Sequence, residues 1–247
     1  MSQTTQAQLY IVGIGPGGRD GMTLEAVQAL QHSDCIVGYH VYTELVHDDY
    51  PDKEYYTTPM KKEVDRCRQA LALADQGKTV SLICSGDAGV YGMSGLVYQL
   101  QEEYPHVRIQ VVAGVTAALA GAAVLGAPLI HDFALISLSD LLTPWEKIEK
   151  RLRLAAEADF VIVLYNPSSK KRYDYLQKAC DLILRHQSPD TVCGLVEQIG
   201  REGERAKVLT LQQLRDEQVN MFTTVFIGNS QTRVVDGRMV TPRGYEW

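Results

Sequence analysis

The stretch Thr79-Val80-Ser81-Leu82-Ile83-Cys84-Ser85-Gly86-Asp87-Ala88-Gly89-Val90-Tyr91-Gly92 passes from a short apolar run directly into a glycine-rich turn. An apolar, β-branched run stopped by such a turn reads as a buried strand, and the helical pattern from Met93 to Glu103 follows it. Three further segments share the design: Gly13-Ile14-Gly15-Pro16-Gly17-Gly18, Ala113-Gly114-Val115-Thr116-Ala117 and Leu164-Tyr165-Asn166-Pro167. Each follows an apolar run, and three of the four open helical stretches. Loops of this kind gather at the carboxyl ends of parallel strands, where α/β proteins bind ligands. The layout points to an enzyme acting on a small molecule.

Outward from these loops, strands are expected at Leu9 to Ile14, Cys35 to Tyr39, Thr79 to Cys84, Val107 to Ala113, Ala134 to Leu138, Phe160 to Tyr165, Thr191 to Val196, Lys207 to Thr210 and Thr223 to Gly228. Helical patterns at Thr23 to His32, Glu63 to Gln76 and Met93 to Glu103 alternate with the early strands, which predicts a mostly parallel sheet. Later helices are expected at Trp145 to Glu157 and Arg172 to His186, and Asp236-Gly237 marks a type I′ hairpin turn. The fold class is α/β with two lobes, residues 1–114 and 115–247, the second opening with a helix from Thr116.

The 247 residues are 45% apolar, enough for a large core. With 24 Lys plus Arg against 30 Asp plus Glu, the formal charge of −6 disfavours a nucleic-acid partner. Five scattered cysteines without CxxC spacing suggest a reducing, cytoplasmic setting and no protein-bound metal. Met1 to Gln8 has neither a basic nor an apolar leader segment, so no signal peptide is indicated. Val111 to Ile130 is uncharged and long enough for a membrane span, but Gly114, Gly121, Gly126 and Pro128 interrupt it. It reads better as strand, turn and small-residue helix.

Gly13, Gly15 and Gly18 match the dinucleotide pattern GxGxxG. Three details oppose that function. Arg19-Asp20-Gly21 delays the helix whose N-terminus would meet a pyrophosphate, Pro16 removes a donor, and the next strand ends in Gly38-Tyr39-His40 without an acid. The loop Ser85-Gly86-Asp87 offers a carboxylate and loop carbonyls, which suit a cationic ligand; a turn or capping role for Asp87 is the alternative.

The order of these motifs resembles the tetrapyrrole methylases, over about Leu9 to Gly244. The resemblance is closest to the branch that methylates C17 of precorrin-3B or cobalt-factor III. It rests on Gly38-Tyr39 with Tyr42, Ser85 to Met93, His131-Asp132-Phe133, Ser137-Leu138-Ser139-Asp140-Leu141-Leu142-Thr143-Pro144-Trp145, Phe160 to Pro167, and Thr241-Pro242-Arg243-Gly244-Tyr245. It implies two α/β lobes with cofactor and substrate in the cleft between them, a homodimer, and S-adenosylmethionine as methyl donor, released as S-adenosylhomocysteine. Any cobalt belongs to the tetrapyrrole substrate. Carried onto this chain, the cofactor contacts are Pro16, Ser85, Gly86, Asp87, Val90, Tyr91, Thr116, Ala117, Asn166, Glu197 and Thr224. Many relatives carry Met-Gly where Asn166-Pro167 stands here.

The same resemblance implies C17 methylation with ring contraction in cobalamin biosynthesis. Methyl transfer from a sulfonium needs chiefly in-line geometry and a dry site. Proton movements during contraction would use a general acid or base, with Asp87, Tyr91, His131 and Asp132 as candidates. Substrate carboxylates call for cations, and Arg19, Lys61, Lys62, Arg66 and Lys170 flank the strand-end loops, with Tyr39 placed to line a flat macrocycle. Other acceptors on the same scaffold, an NAD-dependent oxidoreductase and a non-catalytic binding protein are the competing functions.

Overall fold

The computed structural model describes residues 7–246. The chain divides into two compact units, one ending at Thr116 and the other beginning at Ala117.

In the first unit, strands and helices alternate: β1 (Gln8–Gly13), α1 (Leu24–His32), β2 (Cys35–Tyr39), α2 (His40–His47), β3 (Glu54–Thr58), α3 (Glu63–Asp75), β4 (Thr79–Cys84), α4 (Ser94–Leu100) and β5 (Arg108–Val112). The sheet runs β3-β2-β4-β1-β5 with every pair parallel. Leu9, Ile11, Val37, Val80 and Leu82 pack on one face with Cys67, Leu71 and Val97 of α3 and α4. Val12, Ile14, Ile36 and Ile83 pack on the other with Ala26, Leu30 and Val46 of α1 and α2. Both faces are covered, which is why these strands read as unbroken apolar runs. Thr23 caps α1 by accepting from the Ala26 N–H (3.1 Å), and its hydroxyl donates to the Ala113 carbonyl (3.0 Å) beyond β5.

Two strand or α-helical elements of this unit escape the sequence reading. β3 is an edge strand whose Glu-Tyr-Tyr-Thr-Thr sequence is half-exposed and lacks apolar alternation. α2 begins directly after β2 with no intervening turn residue. The helix expected to run on to Glu103 stops at Leu100 and tightens into a 3-10 turn.

The second unit contains α5 (Ala117–Leu125), β6 (Gly126–Ala127), β7 (Phe133–Ser137), α6 (Trp145–Glu157), β8 (Val161–Tyr165), α7 (Tyr175–Ile183), β9 (Val192–Glu197), β10 (Arg205–Thr210), α8 (Leu211–Arg215), β11 (Thr223–Ile227), β12 (Arg233–Val235) and β13 (Arg238–Val240). Its main sheet runs β10-β9-β11-β8-β7. β7 and β8 are parallel, whereas β11 is antiparallel to both its neighbours and β10 is antiparallel to β9. Ile136, Ile162, Leu164 and Val225 face α6, α7 and α8; Val163, Val196 and Phe226 face α5. Asp236 and Gly237 both have positive φ (48° and 70°), as a type I′ turn requires. The uncharged run from Val111 to Ile130 is divided among β5, α5 and β6, and no helix among the described residues is long and apolar enough to cross a membrane.

The glycines at the ends of β1, β4 and β5 permit a contact between main chains. A Cβ on Gly114 would lie 2.2 Å from the Gly86 carbonyl oxygen and 2.5 Å from that of Gly13. One on Gly18 would meet nothing within 4 Å. Gly114→Ala should therefore lower the unfolding free energy by about 3 kcal/mol in denaturant titrations, because backbone rather than a side chain must give way. Gly18→Ala should change it by no more than about 0.5 kcal/mol.

Candidate functional site

At the carboxyl ends of the first sheet, the loops after β1 and β4 are joined by reciprocal backbone hydrogen bonds, Gly15 N–H to Gly86 C=O (3.0 Å) and Gly86 N–H to Gly15 C=O (2.8 Å). Left-handed φ at Gly15 (72°) and Gly86 (68°) lets both loops turn there. Asp87 completes the junction. Its Oδ1 accepts from the N–H groups of Gly89 (2.8 Å) and Val90 (3.1 Å), and its Oδ2 accepts from Gly114 N–H (2.9 Å) beyond β5.

The turn or capping role, the alternative that the sequence left open for Asp87, is present in this geometry. The group is half-buried and binds three main-chain donors, so it shapes the loop first. Ser85, Gly86, Val90 and Tyr91 lie on that loop, Pro16 on the neighbouring one and Thr116 just beyond Gly114, so the topology gathers them at the carboxyl end of the sheet. Tyr91 is exposed and has φ of 54°, sparsely populated for an aromatic residue and typical of functional loops.

The loop from Ser85 to Gly92 contains no cation and exposes glycine backbone. It therefore offers no cation to a pyrophosphate. The Cys84 thiol beneath it is pushed up to about 11 by burial, against the pull of the Met93 backbone N–H and the Arg66 charge. It is a protonated packing group, not a nucleophile.

The expected cationic cluster separates in the structure. Arg19 and Lys61 are exposed, and Lys62 pairs with Asp65 at 3.0 Å on the surface. Arg66 instead turns inward and is only 4% exposed. Its Nε donates to Thr58 Oγ1 (2.7 Å), Nη2 to the Pro59 carbonyl (2.9 Å) and Nη1 to Met93 Sδ (3.5 Å). The guanidinium carbon sits 5.9 Å from the Tyr39 ring centre, and Tyr39 packs edge-on against His40 and Tyr42. Arg66 thus fastens the chain beyond β3 to Met93 before α4, a role its place beside two lysines concealed.

In the second unit, β8 and β9 run in the same direction while β11 runs against them, so Asn166, Glu197 and Thr224 share one end of the sheet. Ala117 belongs there too, because the next N–H, of Ala118, donates to the Tyr165 hydroxyl (2.7 Å) at the end of β8. Glu197 accepts from Asn220 Nδ2 (2.5 Å), and Thr224 is buried. Asn166 Nδ2 donates to Ser137 Oγ (3.0 Å) at the end of β7. Asp140 receives the Tyr175 hydroxyl (2.7 Å) and lies 3.6 Å from Arg172 Nη1; the hydrogen bond to Asp140, followed by burial, raises the Tyr175 pKa.

His131 and Asp132 lie at the other end of the second sheet. They precede β7 and are therefore at its amino end, the five-residue strand, roughly 16 Å, from Ser137 and Asn166. Both are exposed, and His131 Nδ1 accepts from the Asp132 N–H (2.9 Å). Neither is positioned for proton transfer at that end of the sheet. Lys170 is exposed beyond Pro167. Sequence reasoning missed the Ser137–Asn166 pair, although Asn-Pro closing an apolar strand was a visible signal.

Comparison with known proteins agrees with this architecture. The family model for tetrapyrrole (corrin/porphyrin) methylases matches residues 8–215. A probable cobalt-factor III C(17)-methyltransferase of Salmonella typhimurium is 48% identical over 238 residues, covering 96% of this chain and 99% of the relative. A precorrin-3B C(17)-methyltransferase of a Sinorhizobium species is 41% identical, covering 96% of each. The crystal structure of the methyltransferase CobJ superposes with a TM-score of 0.88 at 34% identity, covering 95% of this chain and 99% of that one.

The three charge-assisted hydrogen bonds of Asp87 make it a stability determinant. Asp87→Ala should lower the unfolding free energy by about 3 kcal/mol in chemical denaturation, and Asp87→Asn, which keeps one acceptor oxygen, by less. A wild-type denaturation midpoint for Asp87→Ala would contradict the bonding described.

Proposed function

The chain belongs to the tetrapyrrole methylases, and from that premise we propose that it transfers the methyl group of S-adenosylmethionine to C17 of cobalt-factor III or precorrin-3B, with contraction of the macrocycle, in cobalamin biosynthesis. The observation that carries this is the 48% identity to the Salmonella relative over essentially the whole of both chains. That relative carries the cobalt-factor name and is more similar than the precorrin-3B enzyme, so cobalt-factor III is the first acceptor to try.

S-adenosylmethionine supplies an already activated methyl group, so the protein's task is placement and exclusion of water. In the first unit, the backbone of Pro16, Ser85, Gly86 and Val90, with Tyr91 and Thr116, holds the cofactor on a loop that Asp87 keeps in shape. In the second, Ala117, Asn166, Glu197 and Thr224 supply cofactor contacts. Arg19, Lys61 and Lys170 are exposed and meet substrate carboxylates, Lys62 joins them by exchanging its surface pairing with Asp65, and Arg66 acts from beneath by holding the Pro59 loop and Tyr39. Cobalt enters with the substrate. The working form is a cytoplasmic homodimer.

Anaerobic incubation of the purified protein with S-adenosylmethionine and each tetrapyrrole, followed by mass spectrometry, tests the assignment. Gain of one methyl with the absorption change of a contracted ring is expected. S-adenosylhomocysteine should also raise the melting temperature, whereas NADH should not. Cofactor binding without methyl transfer to either tetrapyrrole would move the acceptor to another corrin carbon.

A further inference from the structure

Ser137 closes β7 and accepts two hydrogen bonds through one oxygen, from Asn166 Nδ2 (3.0 Å) and from the Ser139 N–H (3.2 Å). A hydroxyl has two lone pairs and one proton. With both lone pairs engaged, the proton is the one valence left, and among the described residues it has no acceptor. Ser137 is half-buried, so its proton is neither lost in the core nor fully in bulk water.

Its partner is held in an unusual state. Asn166 has φ of 54° and precedes Pro167, and a proline pushes the residue before it towards extended conformations. Such a combination costs energy and persists where the surroundings fix it, most often at ligand sites. The two loops that meet here do not need Ser137 to stay together. Tyr175 binds Asp140 (2.7 Å), Arg172 lies 3.6 Å from the same carboxylate, and the Trp145 and Tyr175 rings are 4.6 Å apart.

We propose that Ser137 is a one-way hydrogen-bond donor to a carboxylate of a bound ligand, its polarity set by Asn166. The inference rests on the function proposed above. Both the amino-acid portion of S-adenosylmethionine and the side chains of the tetrapyrrole carry carboxylates, and the experiment separates the two.

Ser137→Ala removes the proton. Asn166→Asp keeps a Ser137–residue 166 hydrogen bond but reverses it, because an ionised carboxylate only accepts and turns the Ser137 proton inward. Asp also tolerates the left-handed backbone. Ser137→Thr retains the donor. Each variant is assayed for S-adenosylhomocysteine affinity by calorimetry, for tetrapyrrole binding by absorbance titration, for kcat and KM, and for melting temperature. Ser137→Ala and Asn166→Asp should lose affinity for one ligand by about tenfold, the size of one hydrogen bond to a charged group, while Ser137→Thr stays near wild type.

Loss confined to S-adenosylhomocysteine assigns the cofactor carboxylate; loss confined to the tetrapyrrole, as binding or KM, assigns the substrate. Wild-type behaviour of Asn166→Asp in both arms would reduce the pair to a loop fastener and overturn the proposal, as would wild-type behaviour of Ser137→Ala. If the wild-type protein methylates neither tetrapyrrole, the functional assignment fails separately, and the two binding titrations still decide the role of Ser137.

Discussion

The first unit depends on a contact that no side chain makes. Gly13, Gly86 and Gly114 bring the main chains at the ends of β1, β4 and β5 so close that a single methyl group would collide with backbone. Residues in parallel strands already share hydrogen bonds along the ladder, but the segments beyond the strand ends lose that support and must find other partners. Here the Gly15–Gly86 bridge and the Asp87 carboxylate provide them, and the loop they hold exposes Tyr91. The second unit meets the same need with side chains: Asn166 to Ser137, Tyr165 to Ala118, and Asp140 to Tyr175. Main-chain and side-chain fastening are two answers to one constraint, and each leaves a distinct chemistry exposed.

Charge distribution follows from the same architecture. The chain is acidic overall, yet Arg66 is buried against a hydroxyl, a carbonyl, a thioether and an aromatic ring, with no carboxylate ion pair among the described residues. An arginine keeps its charge under such conditions, and its fork supplies donors to several elements at once. The cost of burying the cation is offset by what it joins, namely Thr58, Pro59 and Met93. The acidic total is accordingly a poor guide to the local field around the strand-end loops.

Strands covered on both faces were readable because burial imposes continuous apolar sequence, as in Cys35–Tyr39 and Thr79–Cys84. Glu54–Thr58 was not, because an edge strand with polar exposure carries no such imprint, and His40–His47 follows its strand without the punctuation that marks most helix starts. The loops were readable as a set, since glycine spacing and strand ends both lie in the sequence. Their bonding was not. Asp87 and Arg66 have the same residue types whether they face a ligand or serve the fold, and only the direction of each side chain distinguishes the two. The place of His131 and Asp132 was not legible either, because motif proximity along the chain says nothing about which end of a strand a residue occupies.

The strand order has a bearing on how the polypeptide matures during translation. In the first unit, β4 lies between β2 and β1 and is made after both, so those two strands wait for it. In the second, β11 lies between β9 and β8 and is made after both. Until Thr223–Ile227 leaves the ribosome, the β7–β8 pair and the β9–β10 hairpin each present an unpaired edge, rich in valine and leucine, that the finished protein never shows. The nascent chain spends that interval with the first unit fully synthesised and the second open to mispairing.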